Sequence, residues 1–209
     1  MPERLLVIAC GALACEIVAL KRQYGWRHLE LKCLDARLHN RPQDIPGAVA
    51  AAIRRHGAGY DRVFVAYADC GTGGTLDRVL RPLGIERLPG AHCYQLFAGA
   101  ARFEALAAAE PGTFYLTDFL ARHFDRLVIR PLGLDVHPEL RIAYFGNYRR
   151  LVYLAQSRDP QLLRAARRAA ERLSLDFETL HCGYGELETA LPGRATDRDN
   201  GQDDSRLLA

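Results

Sequence analysis

The stretch from Asp61 to Gly74 most limits what this chain can become. A short apolar block, Val63-Phe64-Val65-Ala66-Tyr67, leads through Cys70 into Gly71, Gly73 and Gly74, and a helical pattern follows from Leu76 to Leu80. An apolar run of β-formers closed by glycines reads as a buried strand turning into a helix. Cys70 then sits where the strand ends. In an open parallel sheet, that edge is where ligands bind.

The same unit recurs along the chain. Residues 4–10 read as a first strand ending at Cys10-Gly11, followed by a helix over 13–24 with Ile17 and Leu20 at helical spacing. Residues 29–34 read as a second strand, followed by a loop with His39-Asn40-Arg41-Pro42 and a helix over 46–56 opened by Pro46. Residues 87–97 read as a further strand region carrying Pro89-Gly90 and His92-Cys93, before a helix over 100–109. This repetition predicts an α/β fold: a mainly parallel, Rossmann-like sheet with helices on both faces. Cys10, His39, Cys70 and His92-Cys93 would then gather at one sheet edge.

The second half is less regular. Strands are expected at 113–117, 150–155 and 176–180, the last running into His181-Cys182-Gly183. Helices are expected at 118–124, with Thr117 or Asp118 as cap, and at 139–148, 161–173 and 186–191. Arginines 164, 167, 168 and 172 line one side of the third of these, as a solvated face does. Two prolines and Gly133 break every pattern between 126 and 138. The expected division is a Rossmann-like half over 1–110, a smaller α/β half over 111–191 closing over the sheet's carboxyl edge, and a disordered polar tail over 192–209.

Charge and cysteine usage narrow the chemistry. A net charge of +3 gives no footprint for nucleic acid. No segment approaches the ~18 uninterrupted apolar residues of a membrane span. Leu5 to Ala9 is too short for a signal-peptide core, so the expected location is cytoplasmic. There, six cysteines argue against structural disulfides and for packed apolar groups, metal ligands or reactive thiols. Thiolate and imidazole are the ligands zinc prefers, and three cysteines can also hold a [4Fe-4S] cluster with one iron open. No C-x-x-C or H-E-x-x-H motif is present, so the metal reading rests on topology, against simple packing of three small side chains.

Other uses of the same residues compete. Cys70 before Gly71, Gly73 and Gly74 at a helix start would have a lowered pKa, as a lone nucleophile paired with His39 or His92. The same glycines could cradle a phosphate, although the P-loop lysine is missing. Glu16, in the second turn of the first helix, could reach the edge as an acid or base, or be an ordinary helix-pairing carboxylate. Strand alternation turns Tyr67 and Asp69 away from Cys70, toward packing or supporting roles. Cys15 and Cys33 are expected in the core, and His28, His56, His123 and His137 on the surface.

Several segments carry a resemblance: Ala9-Cys10-Gly11-Ala12-Leu13 with Glu16, Leu38-His39-Asn40-Arg41-Pro42, and Tyr67-Ala68-Asp69-Cys70-Gly71. They continue with Pro89-Gly90-Ala91-His92-Cys93, Phe97-Ala98-Gly99, Pro111-Gly112-Thr113-Phe114-Tyr115-Leu116-Thr117 and Gly183-Tyr184-Gly185-Glu186-Leu187. In these the chain resembles an uncharacterised bacterial and archaeal family, a domain of unknown function. That family is often encoded beside corrinoid-dependent methyltransferases that demethylate methylamines or betaines. It more often has an acidic residue where His92 stands. The resemblance implies a metal-binding protein of corrinoid-linked one-carbon metabolism, with a corrinoid protein or methyltransferase as partner. Zinc would serve thiol methylation, and an iron–sulfur cluster would keep a corrinoid reduced. The expected ligands are Cys10, Cys70 and Cys93, with His39 as the fourth or facing the open position, and Cys182 in reserve. The alternatives are a non-catalytic accessory handling metal or corrinoid, and a metal-free Cys70 thiol enzyme.

Overall fold

A computed structural model describes residues 3–192; of the disordered tail expected over 192–209, Pro192 is instead buried, and the rest lies outside the described residues. The first half holds β1 (Leu5–Cys10), α1 (Ala14–Gln23), β2 (Leu29–Leu34), α2 (Ile45–His56), β3 (Arg62–Ala66), α3 (Thr75–Leu80), β4 (Glu86–Arg87), α4 (Cys93–Ala98) and α5 (Ala100–Ala109). The second holds β5 (Thr113–Thr117), α6 (Asp118–Arg122), α7 (Leu140–Phe145), β6 (Arg150–Ala155), α8 (Pro160–Leu173) and β7 (Asp176–His181), and α9 (Leu187–Ala190) follows. Both sheets are wholly parallel, in the orders β2-β1-β3-β4 and β5-β6-β7.

β1 is the central strand, and all six of its residues are buried. A strand covered on both faces is apolar at every position rather than at alternate ones. Leu5, Val7 and Ala9 pack with α1, α4 and α9, while Leu6, Ile8 and Cys10 face α2 and α3. Truncating Ile8 to alanine here would cost about 2–5 kcal/mol. The chain leaves β1 for β2 on one side and returns to β3 on the other. The strand order therefore reverses between β1 and β3, and a crevice opens at their carboxyl ends. Cys10 closes β1, and Cys70 lies in the turn after β3.

The second sheet is covered by α8, whose Leu162, Ala166, Ala169, Ala170 and Leu173 are buried. Asp159 caps this helix by accepting from the Gln161 amide at 2.7 Å, and the four arginines stay on its exposed side.

Several expectations need correction. The region 87–97 is not a strand beyond Arg87: Pro89 and Gly90, the latter at φ +86°, turn the chain, and Cys93 opens a helix. The unreadable region contains a π-helical turn, Asp125–Ile129. The last described segment also lies outside the second half. Leu187 and Leu191 pack with Leu13, Ile17, Leu96 and Phe97, so the last segment belongs to the first core. Cys15 and Cys33 are exposed rather than buried, Cys33 because β2 is an edge strand. Of the four histidines expected on the surface only His137 is exposed; His28, His56 and His123 are partly covered. Among the described residues no helix is long and apolar enough to cross a membrane.

Candidate functional site

A cavity of about 380 Å³ lies over the carboxyl edge of the first sheet. Its floor includes Cys70, Gly71, His92 and Cys93, with His39 at one wall. The second half roofs it with Phe114, Phe119, Leu120, Leu127 and Val128. Leu127 and Val128 come from the π-helical turn, a distortion often found at functional sites. Asn40 ties this roof to the floor, its Nδ2 donating to the Leu127 carbonyl at 3.5 Å.

Cys10 is buried just behind the floor. Its sulfur accepts from the Ala12 amide at 3.3 Å and lies 3.6 Å from His39 Nδ1. His39 sits on a 3-10 turn, Ala36–Asn40, its ring nearly parallel to that of Tyr67 at 6.2 Å. Cys93 joins the group by a loop rather than a strand end. The Asp69 amide donates to Gly90 O at 3.0 Å and the Cys70 amide to Ala91 O at 2.8 Å. These two bonds draw the start of α4 against the turn after β3. Cys70 itself is held at φ +52°, where a non-glycine residue is strained.

Burial pushes the Cys10 thiol up to about 12 and Cys70 to about 11; backbone donors pull both down, Cys70 adds to the rise at Cys10, and at Cys70 the rise from Asp69 is opposed by Arg87. Cys93 is raised well above its ordinary value by burial first and by Cys70 and Cys10 next. Cys10 thus feels Cys70, Cys93 feels both, and Cys70 is touched by the backbone amide of Cys93. Burial lowers His39, which holds the imidazole neutral. The Cys70 thiol is thus raised where the sequence suggested it would be lowered. The amides expected to activate it are engaged elsewhere: Asp69 accepts from Gly74 N at 2.8 Å, Gly73 N at 3.1 Å and Thr72 Oγ1 at 2.8 Å. The same bonds leave Gly73 and Gly74 no free amide for a phosphate, so only Gly71 of the three faces the cavity.

The other candidates are distributed unevenly. His92 lines the cavity and is felt by His39. Cys182 stands apart, its sulfur bonded to the Ala155 carbonyl at 3.4 Å and to Gln156 Nε2 at 3.8 Å. Glu16 is buried in an adjoining pocket rather than in the cavity. Tyr67 was misread. β3 ends at Ala66, so strand alternation no longer applies, and Tyr67 packs in one cluster with Cys10 and Cys70. Its buried hydroxyl lies near enough to Cys10 for the two groups to interact, but without hydrogen-bond geometry. Among the described residues no three His, Cys, Asp or Glu side chains are already set to hold a metal ion.

A family model described as a protein of unknown function, DUF1638, matches residues 33–191. The chain belongs to the DUF1638 family. The matched span contains His39, Cys70 and Cys93, and it starts beyond Cys10. No curated protein and no solved structure matches this DUF1638 chain.

Proposed function

We propose that the cavity is a thiolate site for a soft metal, zinc or a [4Fe-4S] cluster, held by Cys10, Cys70 and Cys93 with His39 as a fourth ligand or facing an open position. The observation that carries this reading is the gathering of three cysteines from positions 10, 70 and 93 around one cavity: Cys70 and Cys93 line it with His39, and Cys10 packs against Cys70 with its sulfur 3.6 Å from His39 Nδ1. Thiols with so high a proton affinity become thiolates only beside a compensating positive charge. The donor set is right in kind, because sulfur and neutral imidazole suit zinc and iron–sulfur groups alike. The side chains would have to turn toward the ion, which is ordinary where binding and deprotonation are coupled. The unpartnered Tyr67 hydroxyl supports the reading, since a thiolate is the acceptor it lacks.

The narrower form of the proposal is a role in corrinoid-linked methyl transfer from methylated amines, beside a corrinoid protein or methyltransferase in the cytoplasm. The chemistry such a bound group supplies is an activated sulfur nucleophile, or, for the cluster, single electrons. The protein's own part is an apolar enclosure: Phe114, Phe119, Leu127 and Val128 exclude water from the reacting sulfur.

Elemental analysis and absorbance of protein purified without oxygen test the proposal. Zinc or iron at a fixed ratio to protein is expected, lost in Cys10→Ser, Cys70→Ser and Cys93→Ser and kept in Cys33→Ser. Metal-free protein, or metal that survives all three replacements, would end it.

A further inference from the structure

Behind the thiol cavity, with Phe119 lining both, lies a second pocket of about 220 Å³. Its walls come from the start of α1 (Glu16), from α6 (Asp118, Arg122) and from the loop after β6 (Gln156, Ser157), with Tyr184 beside them. Most of its polar groups are already satisfied. Asp118 accepts from Tyr153 Oη at 2.6 Å, Gln156 N at 3.0 Å, Ser157 N at 2.9 Å and Ser157 Oγ at 2.5 Å, four donors for two oxygens. Gln156 accepts from the Asp118 amide at 2.7 Å and donates to Leu154 O at 2.6 Å.

Glu16, Arg122, His123 and Tyr184 make no side-chain hydrogen bond there among the described residues; burial lowers His123 toward its neutral form and raises Glu16, so the pair that can carry opposite charge around a ligand is Glu16 and Arg122. Glu16 is only 5% exposed, and its Oε2 is buried without a hydrogen-bond partner. A buried carboxyl oxygen in that state carries a penalty that a donor from a ligand would remove. Arg122, which also lines the pocket, makes no ion pair or hydrogen bond among the described residues. The two side chains are close enough for Arg122 to oppose the effect of burial on Glu16, yet they are not paired. A gap between an unpartnered acid and an unpartnered base is the complement of a molecule carrying both signs.

We propose that this pocket binds a small amino-acid-like zwitterion, its ammonium group donating to Glu16 and its carboxylate accepting from Arg122. A lone anion would face Glu16 and Asp118, and a lone cation would face Arg122, so neither fits as well. The volume holds roughly seven waters at about 30 Å³ each, which limits the ligand to a similar number of heavy atoms. Phe119 and Tyr184 cover its aliphatic part. The proposal requires no metal and stands apart from the thiol reading.

Calorimetric titration of the full chain with L-alanine tests it, with acetate and ethylammonium as single-charge controls. Saturable one-to-one binding of L-alanine is expected, with both controls weaker by about tenfold or more. Glu16→Gln and Arg122→Met should each weaken L-alanine by about tenfold or more, and Cys70→Ser should leave it unchanged. Arg122 is exposed and makes no hydrogen bond or ion pair among the described residues, so its replacement does not endanger folding and keeps the test valid if Glu16→Gln is unstable. No saturable binding, binding of acetate or ethylammonium as strong as L-alanine, or affinity unmoved in Arg122→Met would each overturn it.

Discussion

Tyr67 carries its buried hydroxyl to the Cys10 sulfur, close enough for the two groups to act on each other but outside good hydrogen-bond geometry. A neutral thiol is a poor acceptor, so the hydroxyl gains little from the metal-free protein, and burying it unpaired costs about 1–3 kcal/mol. Tyr67→Phe should therefore leave the metal-free protein as stable as before, or stabilise it by about 1 kcal/mol. If the thiols hold a metal, the same change removes a supporting donor and should weaken retention by about 10–100-fold. Urea unfolding and competition with a chelator measure the two effects. A clear loss of stability in Tyr67→Phe would mean that the hydroxyl is already bonded.

The high thiol pKa values separate the cysteines by reactivity. In metal-free native protein at pH 8, a disulfide reagent should modify exposed Cys15 first. Cys33 should follow more slowly, because partial burial raises its thiol. Cys10 and Cys70 should wait for denaturant. Stability has a matching pH dependence. A folded thiol whose pKa is raised keeps its proton after the unfolded chain has lost it, so its contribution is complete below the unfolded value and disappears as pH rises through the folded one. For Cys10 that window runs from 9.0 to about 12, and for Cys70 from 9.0 to about 11. Unfolding free energy should fall across it by about 1.4 kcal/mol for each pH unit separating the two states of a group. A flat profile between pH 9 and 11 would contradict the burial of these thiols.

Asp118 is a second structural centre. Its carboxylate joins the end of β5 to the turn after β6 through Tyr153, Gln156 and Ser157. In Asp118→Ala the Tyr153 hydroxyl and the Gln156 amide lose their acceptor in the interior. The expected loss is about 3 kcal/mol or more in chemical denaturation. A loss below about 1 kcal/mol would indicate that water reaches these donors freely.

How much of this was legible beforehand depends on the range of the signal. The parallel sheets could be read from apolar runs and turn residues, because a strand buried on both faces writes its burial into adjacent positions. Cys10 and Cys70 could be placed for the same reason. Cys93 reached the site for a reason that the pattern did not contain: two backbone hydrogen bonds, from Asp69 and Cys70 to Gly90 and Ala91, fix a loop that sequence cannot orient. The cavity roof was equally hidden, since the π-helical turn around Leu127 has no propensity signature. Asp118 looked like a helix cap because that role is local, whereas its partners lie beyond position 150. Glu16 was recognisable as a carboxylate near the edge, but its orphaned oxygen is a property of the packed protein alone.

Gly185 offers the most discriminating stability test. The segment from Cys182 to Glu186 is fastened to the end of α4, where the Glu186 amide donates to Leu96 O at 2.7 Å. Glu186 Oε1 in turn accepts from the Ala100 amide at 3.1 Å, satisfying a free donor at the start of α5. A Cβ on Gly185 would stand 2.4 Å from both Leu96 O and Phe97 O, which are backbone atoms that cannot swing aside. Gly133 provides the control, because it too has positive φ, at +69°, but a Cβ there meets nothing within 4 Å. Gly133→Ala should cost about 1–2 kcal/mol, the price of the left-handed conformation alone. Gly185→Ala should cost about 3 kcal/mol or more, since the segment must also lift off α4. Because α4 begins at Cys93, that displacement should reach the site: labelling of Cys93 in native protein should accelerate in Gly185→Ala and not in Gly133→Ala. Equal costs for the two variants, or an unchanged Cys93 in the first, would show that the returning segment does not hold the thiol in place.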